Sequence, residues 1–227
     1  DFIQRWPDVM ALARAPRDDV MKAWAGLGYY ARARNLHKTA NIVAAEHGGV
    51  FPADQKTLLA MPGIGPYTAS AIRVMGYGQP GVVVDGNIER VMARLHRIKT
   101  PMPKAKPELT ELAQAMLPPA RYGDFAQAVM DLGATVCTPT SPACVLCPWR
   151  DACAGRRTGI AETLPRKAPK AEKPLRYGIA FWAMAPDGAV LLRRRPERGL
   201  LGGMMEIPST GWCEQRRSEE HTSELQS

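Results

Sequence analysis

Four of the five cysteines lie within one short stretch, "CTPTSPACVLCPWRDAC", and form the densest group of metal-ligating side chains in the sequence. They follow the spacing C-x6-C-x2-C-x5-C, at Cys137, Cys144, Cys147 and Cys153. Thiolates that converge from one compact loop can bind a single metal centre. Disulfides fit poorly, because the chain lacks the character of a small secreted scaffold. Zinc suits four thiolates, but paired C-x2-C motifs are its commoner pattern, so the spacing favours a [4Fe–4S] cluster.

A second candidate site is the glycine-rich turn in "MPGIGPYTASAI", where Gly63 and Gly65 precede Pro66. Glycine lets the backbone turn tightly and lets an outside group approach the main-chain amides. The N-terminus of the helix after the turn carries unpaired N–H groups and a partial positive charge. The turn is therefore either a plain structural link between packed helices or a grip on a nucleic-acid phosphate, and the positive charge of the chain favours the phosphate.

A third candidate is Asp85, which follows three valines and precedes Gly86 and Asn87 in "VVVDGN". A carboxylate at the edge of an apolar wall is poorly solvated and seeks positive charge. The residue types allow two interpretations, a helix-capping aspartate and a catalytic carboxylate. The sequence around Asp85 does not by itself decide between them.

The elements that must position these residues are helical up to about residue 153. Glycine, proline and capping residues predict a helix over 32–46, a helix over 54–60 begun by Asp54, and a helix over 66–77 begun by Pro66. The last two form a helix–hairpin–helix. We further expect three helices capped by Asp18-Asp19, by Asn87 and by Asp124. Strand-like alternation is nearly absent here, which indicates a mainly α fold.

The composition changes after Cys153. Residues 155–174 are rich in proline, lysine and arginine and are interpreted as a linker. Two apolar runs around a Pro-Asp-Gly turn then predict a β-hairpin, so a second domain of another class begins near Leu175. The predicted organisation is a helical domain over 1–154, the linker, and the start of an α/β domain over 175–216.

The whole chain has a net charge of +8. Its last eleven residues, 217–227, resemble a translated sequencing adapter and are excluded from fold reasoning. They carry one arginine and three glutamates, so the rest of the chain has a net charge of +10. A cationic chain of this size is typical of proteins that bind a polyanion, most often nucleic acid. No apolar run is long enough to span a membrane.

The motifs taken together resemble those of the helix–hairpin–helix DNA glycosylases that carry an iron–sulfur cluster. "LLAMPGIGPYTASAI", "VVVDGNIERV" and the cysteine spacing match that superfamily, and "GLGYYARARNLHK" and "FAQAVMDLGATVCT" match its MutY family of adenine DNA glycosylases. The resemblance covers residues 2–155. "RPERGLLGGMMEIP" is similar to the early part of the family's C-terminal Nudix-like domain.

The resemblance implies a reaction on double-stranded DNA that contains A:8-oxoguanine or A:G mispairs. The adenosine is flipped out of the stack and its N-glycosidic bond is cleaved by two carboxylates. Asp85 would stabilise the oxocarbenium-like sugar, Asn87 would position Asp85 or water, and Tyr67 would shape the pocket beside that carboxylate. Gly63 and Gly65 would hold the DNA backbone, and Tyr29 would wedge into the base stack. The four cysteines would hold the [4Fe–4S] cluster.

The residue at position 67 separates two branches of this superfamily. Endonuclease III resembles this chain but has a lysine at the position of Tyr67, whose amine attacks the sugar, and Asp-Thr-His in place of Asp85-Gly86-Asn87. Without that amine we expect base excision with little strand nicking. The alternatives are a bifunctional glycosylase/lyase of the endonuclease III kind and a non-catalytic DNA-binding module with a structural zinc.

The general-acid glutamate of the family lies on a helix upstream of the segment that matches Asp1–Pro7. We therefore expect a fragment cut at both ends, with impaired or no activity by itself. The resemblance further implies a monomer, no membrane association, and a cytoplasmic, nucleoid-associated location in a bacterium.

Overall fold

The structure is a computed structural model that describes residues 1–169, 172–196, 199 and 201–214. The segment 217–227, interpreted above as adapter-derived, lies outside the described residues, as do three positions of "RPERGLLGGMMEIP". The described part of the chain is mainly helical, as predicted. Its α-helices are α1 (Phe2–Arg5), α2 (Val9–Arg14), α3 (Arg17–Ala23), α4 (Tyr30–Glu46), α5 (Gln55–Ala60), α6 (Pro66–Ala71), α7 (Gly86–Leu95), α8 (Lys106–Ala115), α9 (Tyr122–Asp131) and α10 (Ala154–Arg157).

Two helices continue into a widened turn. The α6 helix runs on as π-helix over Ile72–Gly76, and α9 does so over Leu132–Val136. Short 3-10 helices cover Cys144–Leu146 and Ala161–Thr163. Among the described helices, none combines the length and the apolar character that crossing a bilayer requires.

The chain divides into two compact units. The first combines Asp1–Ala15 with Asn35–Pro169, and the second combines Pro16–Arg34 with the described residues between 172 and 214. The first unit contains the main hydrophobic core, in which α7 packs against α8 and α9. This core includes Met92 of α7, Leu109 of α8 and Val129 of α9, all nearly or fully buried. Cys137 and Cys153 pack against the same core, so the cysteine-rich loop is part of the first unit.

A smaller cluster in the first unit holds the helix–hairpin–helix together. Leu58 of α5, Ile64 of the turn and Ala69 of α6 pack with Val43 of α4. The predicted helices on either side of the turn are confirmed. Asp54 caps α5 by accepting the Thr57 amide N–H at 2.8 Å, an interaction that holds the pKa of the Asp54 carboxyl below its ordinary value.

The turn of the hairpin is braced by α4. Thr39, which is buried, donates its hydroxyl to the carbonyl of Pro62 at 2.7 Å. Gly63 adopts a left-handed φ of 77°, and a Cβ there would lie 2.6 Å from the Cβ of Asn35. Gly65 has an ordinary extended backbone, and a Cβ there would meet nothing within 4 Å. The two glycines therefore serve different purposes: Gly63 is required by the turn, whereas Gly65 leaves an open surface.

Three predicted caps are wrong. Asp85 caps α7, and Asn87 lies in the first turn of that helix. Asp18 and Asp19 likewise lie in the first turn of α3, and Asp124 in the first turn of α9. Acidic residues are favoured both at the cap and in the first turn, so composition alone places the helix start only to within a turn.

The second unit contains the predicted hairpin. In its Pro-Asp-Gly turn the amide of Ala185 donates to the carbonyl of Ala189 and the amide of Gly188 donates to the carbonyl of Ala185, and Met184 pairs with Val190. Strands β1 (Arg193–Arg194) and β2 (Met205–Glu206) form an antiparallel pair. An isolated antiparallel bridge joins Tyr177 to Cys213.

The different purposes of the two glycines give a matched pair of substitutions. Gly63→Ala should destabilise the first unit by about 1–2 kcal/mol or more, because alanine disfavours the left-handed backbone and its Cβ would collide with Asn35. Gly65→Ala should change the free energy of unfolding by no more than about 0.5 kcal/mol. Chemical denaturation followed by circular dichroism measures both. Equal stability of the two variants would contradict the account of the turn.

Candidate active site and metal centre

The carboxylate of Asp85 is held at the start of α7 by two hydrogen bonds. Its Oδ1 accepts the amide N–H of Ile88 at 2.8 Å, and its Oδ2 accepts the side-chain amide of Asn87 at 2.9 Å. Asp85 and Asn87 are both half-buried. Asp85 is therefore a capping residue with a fixed orientation, and both interpretations offered by the sequence, cap and reactive carboxylate, are compatible with one geometry.

Asn87 is fixed in turn by a buried arginine. The guanidinium of Arg90 donates Nη2 to Oδ1 of Asn87 at 2.8 Å and to the carbonyl of Gly133 at 2.6 Å. Its Nε donates to the carbonyl of Cys137 at 2.7 Å. Arg90 is only 9% exposed, and burial lowers its pKa, although Cys137 and Asp85 act in the opposite direction. A continuous chain of hydrogen bonds thus runs from Asp85 to the first cysteine of the loop.

Asp85 opens onto a cavity of about 630 Å³ within the first unit. Asn87 and Arg90 line the same cavity, and its far wall includes Thr140 and Lys167. A cavity of this volume has room for a nucleoside-sized group beside the carboxylate. The site residues Asp85 and Asn87 are therefore brought together, and both are accessible from one space.

The hairpin residues present a different surface. Among the described hydrogen bonds, none uses the amide N–H of Gly63 or of Gly65 as a donor, so both amides are available to an outside acceptor. Tyr67 is 46% exposed and makes no hydrogen bond to Asp85 in the described part of the chain. Its predicted place beside the carboxylate stays a prediction.

Tyr29 belongs to the second unit and is 77% exposed. Its backbone has a left-handed φ of 47°, which is a strained conformation for an aromatic residue. The guanidinium of Arg32 lies 5.0 Å from the centre of the Tyr29 ring, within range of a cation–π contact. The ring is thus exposed beside a cation, and its role as a wedge stays a prediction.

The four cysteines of the loop line one cavity. Cys137, Cys144, Cys147 and Cys153 all contribute to it, and all four are free thiols. The cavity has a volume of about 30 Å³, and three arginines also line it: Arg94, Arg150 and Arg156. The four thiols therefore share one space, and their role as ligands of a single centre stays a prediction.

The donor set suits a thiolate-ligated metal centre. Burial raises the pKa of the Cys147 thiol, and the three other cysteines raise it further, since four thiolates in one space repel one another. A bound cation would remove that penalty, and the arginines already favour negative charge there. Within the described residues, no group of three or more His, Cys, Asp or Glu side chains is arranged to hold a single metal ion.

The loop is fitted closely to α7. Gly155, at the end of the loop, packs so tightly that a Cβ there would lie 2.5 Å from the carbonyl oxygen of Arg94. The thiol of Cys153 donates to that same carbonyl at 3.4 Å. The position of the cysteines is therefore set by the helix that begins at Asp85.

The sequence reasoning missed Arg90 and Arg94. Both are buried, although arginine is ordinarily a surface residue. They are four residues apart on α7, and Asn87 is three residues before Arg90, so all three share one face of the helix. An arginine pair at this spacing on the same face as a candidate site residue is the signal by which they could have been found.

Comparison with known proteins places this geometry in a family. Residues 1–119 match the family model "HhH-GPD superfamily base excision DNA repair protein". The chain is 36% identical to the adenine DNA glycosylase of Homo sapiens over 99% of its own length and 50% of that protein. It is 40% identical to the adenine DNA glycosylase of Mycobacterium tuberculosis over 80% of the chain and 57% of that protein. The chain thus spans about half the length of the curated relatives it matches.

Solved structures share the fold. A thermostable thymine-DNA glycosylase superposes with a TM-score of 0.60 at 26% identity, covering 69% of this chain and 73% of that one. An endonuclease III–DNA complex superposes with a TM-score of 0.59 at 22% identity, covering 70% of this chain and 74% of that one. At this identity the likeness shows a shared fold only. The resemblance read from the sequence motifs is confirmed: the chain belongs to the HhH-GPD superfamily of base excision DNA repair proteins.

Proposed function

We propose that the full-length protein is an adenine DNA glycosylase that hydrolyses the N-glycosidic bond of adenine mispaired with 8-oxoguanine or guanine. The observation that carries the proposal is the fixed carboxylate of Asp85 at the edge of a cavity of about 630 Å³. The similarity of the chain to curated adenine DNA glycosylases supports the choice of base.

The proposed reaction needs the adenosine outside the base stack, because the glycosidic bond is not accessible within a duplex. As the bond to adenine breaks, positive charge develops on the deoxyribose, and the negative charge of Asp85 stabilises it. Asn87 and the Ile88 amide hold the carboxylate in one orientation, so little reorganisation is needed during the reaction. No residue of this chain is assigned the role of the acid that protonates adenine.

The hairpin is proposed to hold the DNA backbone. Main-chain amides bind phosphate without reading sequence, and those of Gly63 and Gly65 have no partner among the described hydrogen bonds. The open space at Gly65 allows a phosphate to approach closely. Tyr29 is proposed to enter the base stack, which its 77% exposure supports.

The cysteine cavity is proposed to hold a [4Fe–4S] cluster, with Cys137, Cys144, Cys147 and Cys153 as ligands. The four thiols line one space, which supports a thiolate-ligated centre. The C-x6-C-x2-C-x5-C spacing favours a cluster over one zinc ion. When bound, such a cluster would supply a cross-link that stabilises the loop. The segment over 175–216 is proposed to begin a Nudix-like domain that reads 8-oxoguanine.

Asp85→Asn tests the reaction. The substitution removes the negative charge but keeps the size of the side chain, so adenine release should slow by on the order of 10²–10³-fold. Single-turnover excision from an A:8-oxoguanine duplex by the full-length protein measures it, with alkali treatment to reveal abasic sites. Glu108→Gln, an exposed carboxylate on α8, serves as the control and should leave the rate unchanged. Normal adenine release by Asp85→Asn would contradict the proposed function.

Strand nicking tests whether the enzyme is monofunctional. Tyr67 offers no amine, so the full-length protein should release adenine and nick the abasic product only slowly. Tyr67→Lys should increase nicking and allow borohydride trapping of a covalent complex. Lys167 is exposed and lines the Asp85 cavity, so Lys167→Gln shows how much residual nicking depends on its amine. Nicking by the unaltered protein as fast as its adenine excision would overturn monofunctionality.

A further inference from the structure

Arg94 is a buried charge that has no carboxylate partner among the residues that the structure describes. It is 1% exposed and is among the largest fully buried side chains in the described part of the chain. No salt bridge of the described residues includes it. Burying a guanidinium away from water is costly unless other groups compensate its charge.

The contacts of Arg94 all lead to the cysteine loop and the segment that follows it. Its Nη1 donates to the carbonyl of Thr138 at 2.7 Å and to both the carbonyl and the Sγ of Cys137, at 3.2 Å and 3.3 Å. Its Nη2 donates to the carbonyl of Pro139 at 3.0 Å and its Nε to that of Leu164 at 3.0 Å. Every acceptor is neutral except the sulfur, which becomes an anion when it binds a metal.

A second buried cation lies close by. Arg90 contacts the same Cys137 carbonyl, and the charge of Arg94 is one of the causes that lower the pKa of Arg90. Two guanidinium groups are thus held near one cysteine. The half-buried Asp85 acts on the Arg90 side. An anionic centre at the cysteines would therefore lie against two buried cations.

We propose that Arg94 is the counter-cation of the metal centre, so that the charge at residue 94 and the occupancy of the four cysteines stabilise each other. The inference rests on the cluster of the proposed function. Four thiolates around an iron–sulfur core leave the centre anionic, and a buried cation at 3.3 Å from one ligand sulfur favours that anion. The positive charge of Arg94 would stabilise the reduced form of the cluster most, because that form is more negative.

Two consequences distinguish a counter-charge from a shape-filling residue. Loss of the positive charge should lower the reduction potential of the centre, because the added electron is no longer stabilised. It should also speed the loss of iron, since altering a residue that supports a metal ligand typically costs about 10- to 100-fold in metal affinity. A residue needed only for packing would not separate a charged from a neutral replacement.

The experiment compares Arg94→Lys, which keeps the charge, with Arg94→Gln, which removes it, in the full-length protein. Arg157→Gln is the matched control, because Arg157 is exposed on α10 and does not line the cysteine cavity. Iron, zinc and sulfide contents are measured first, followed by the rate of iron loss to a chelator and the reduction potential by voltammetry on DNA-free protein.

Arg94→Gln should lose iron about 10- to 100-fold faster than the unaltered protein and show a more negative potential. Arg94→Lys should retain a potential close to the original, and Arg157→Gln should match the unaltered protein in both measurements. The proposal would be overturned if Arg94→Lys and Arg94→Gln changed iron loss and reduction potential equally, or if neither variant changed them.

If Arg94→Gln does not fold, the rate of iron loss from Arg94→Lys is compared with that from Cys144→Ser, a variant that lacks one proposed ligand. If Arg94→Lys retains iron about as well as the unaltered protein, the counter-charge role is supported. If it loses iron as fast as Cys144→Ser, that role is contradicted. Zinc in place of iron would overturn the proposed cluster. Faster zinc loss from Arg94→Gln than from Arg157→Gln would in that case still support the role of Arg94.

Discussion

The arrangement of the first unit depends on buried arginines that project from one helix into the cysteine loop. Arg90 and Arg94 of α7 donate to the carbonyls of Gly133, Cys137, Thr138, Pro139 and Leu164. Loop carbonyls have no ladder partners of their own, so these donors satisfy groups that would be costly to bury unpaired. The same helix begins at Asp85. The carboxylate and the cysteine loop are therefore positioned by one helix, and a short chain of hydrogen bonds connects them.

The helix–hairpin–helix contributes a surface of a different kind. The hairpin exposes main-chain amides, whereas α7 presents side chains. The shape of the hairpin depends on the left-handed backbone of Gly63 and on the hydrogen bond from Thr39 of α4. The proposed function requires that DNA be held without reading its sequence, which amides and cations can do. It also requires a fixed group beside one extruded base, and Asp85 is proposed for that role.

Much of this could be predicted from the sequence, and the failures have a physical cause. Local signals were sufficient for the hairpin, because the Asp54 cap, the left-handed Gly63 and Pro66 at the first helical position each act within a few residues. The spacing of the four cysteines placed them in one loop, and the structure has all four lining one cavity. Asn87 was assigned the cap that Asp85 occupies, because both residue types favour a helix start. The spacing of Arg90 and Arg94 on the face of Asn87 singles them out, but their burial could not be inferred locally. The loop carbonyls that they bind lie 43–70 residues away along the chain.

The central claim is that Arg90 holds the end of α7 that carries Asp85 by joining Asn87 to Cys137. The direct measurement is single-turnover adenine excision by the full-length protein carrying Arg90→Gln, with its affinity for an uncleavable A:8-oxoguanine analogue duplex measured in parallel. Arg97→Gln, an exposed arginine just beyond α7, is the matched control. Breaking a buried hydrogen bond network costs about 1–3 kcal/mol, so excision should slow about 10- to 100-fold while DNA affinity and the Arg97→Gln rate stay unchanged. Excision by a folded Arg90→Gln protein at the unaltered rate would contradict the account.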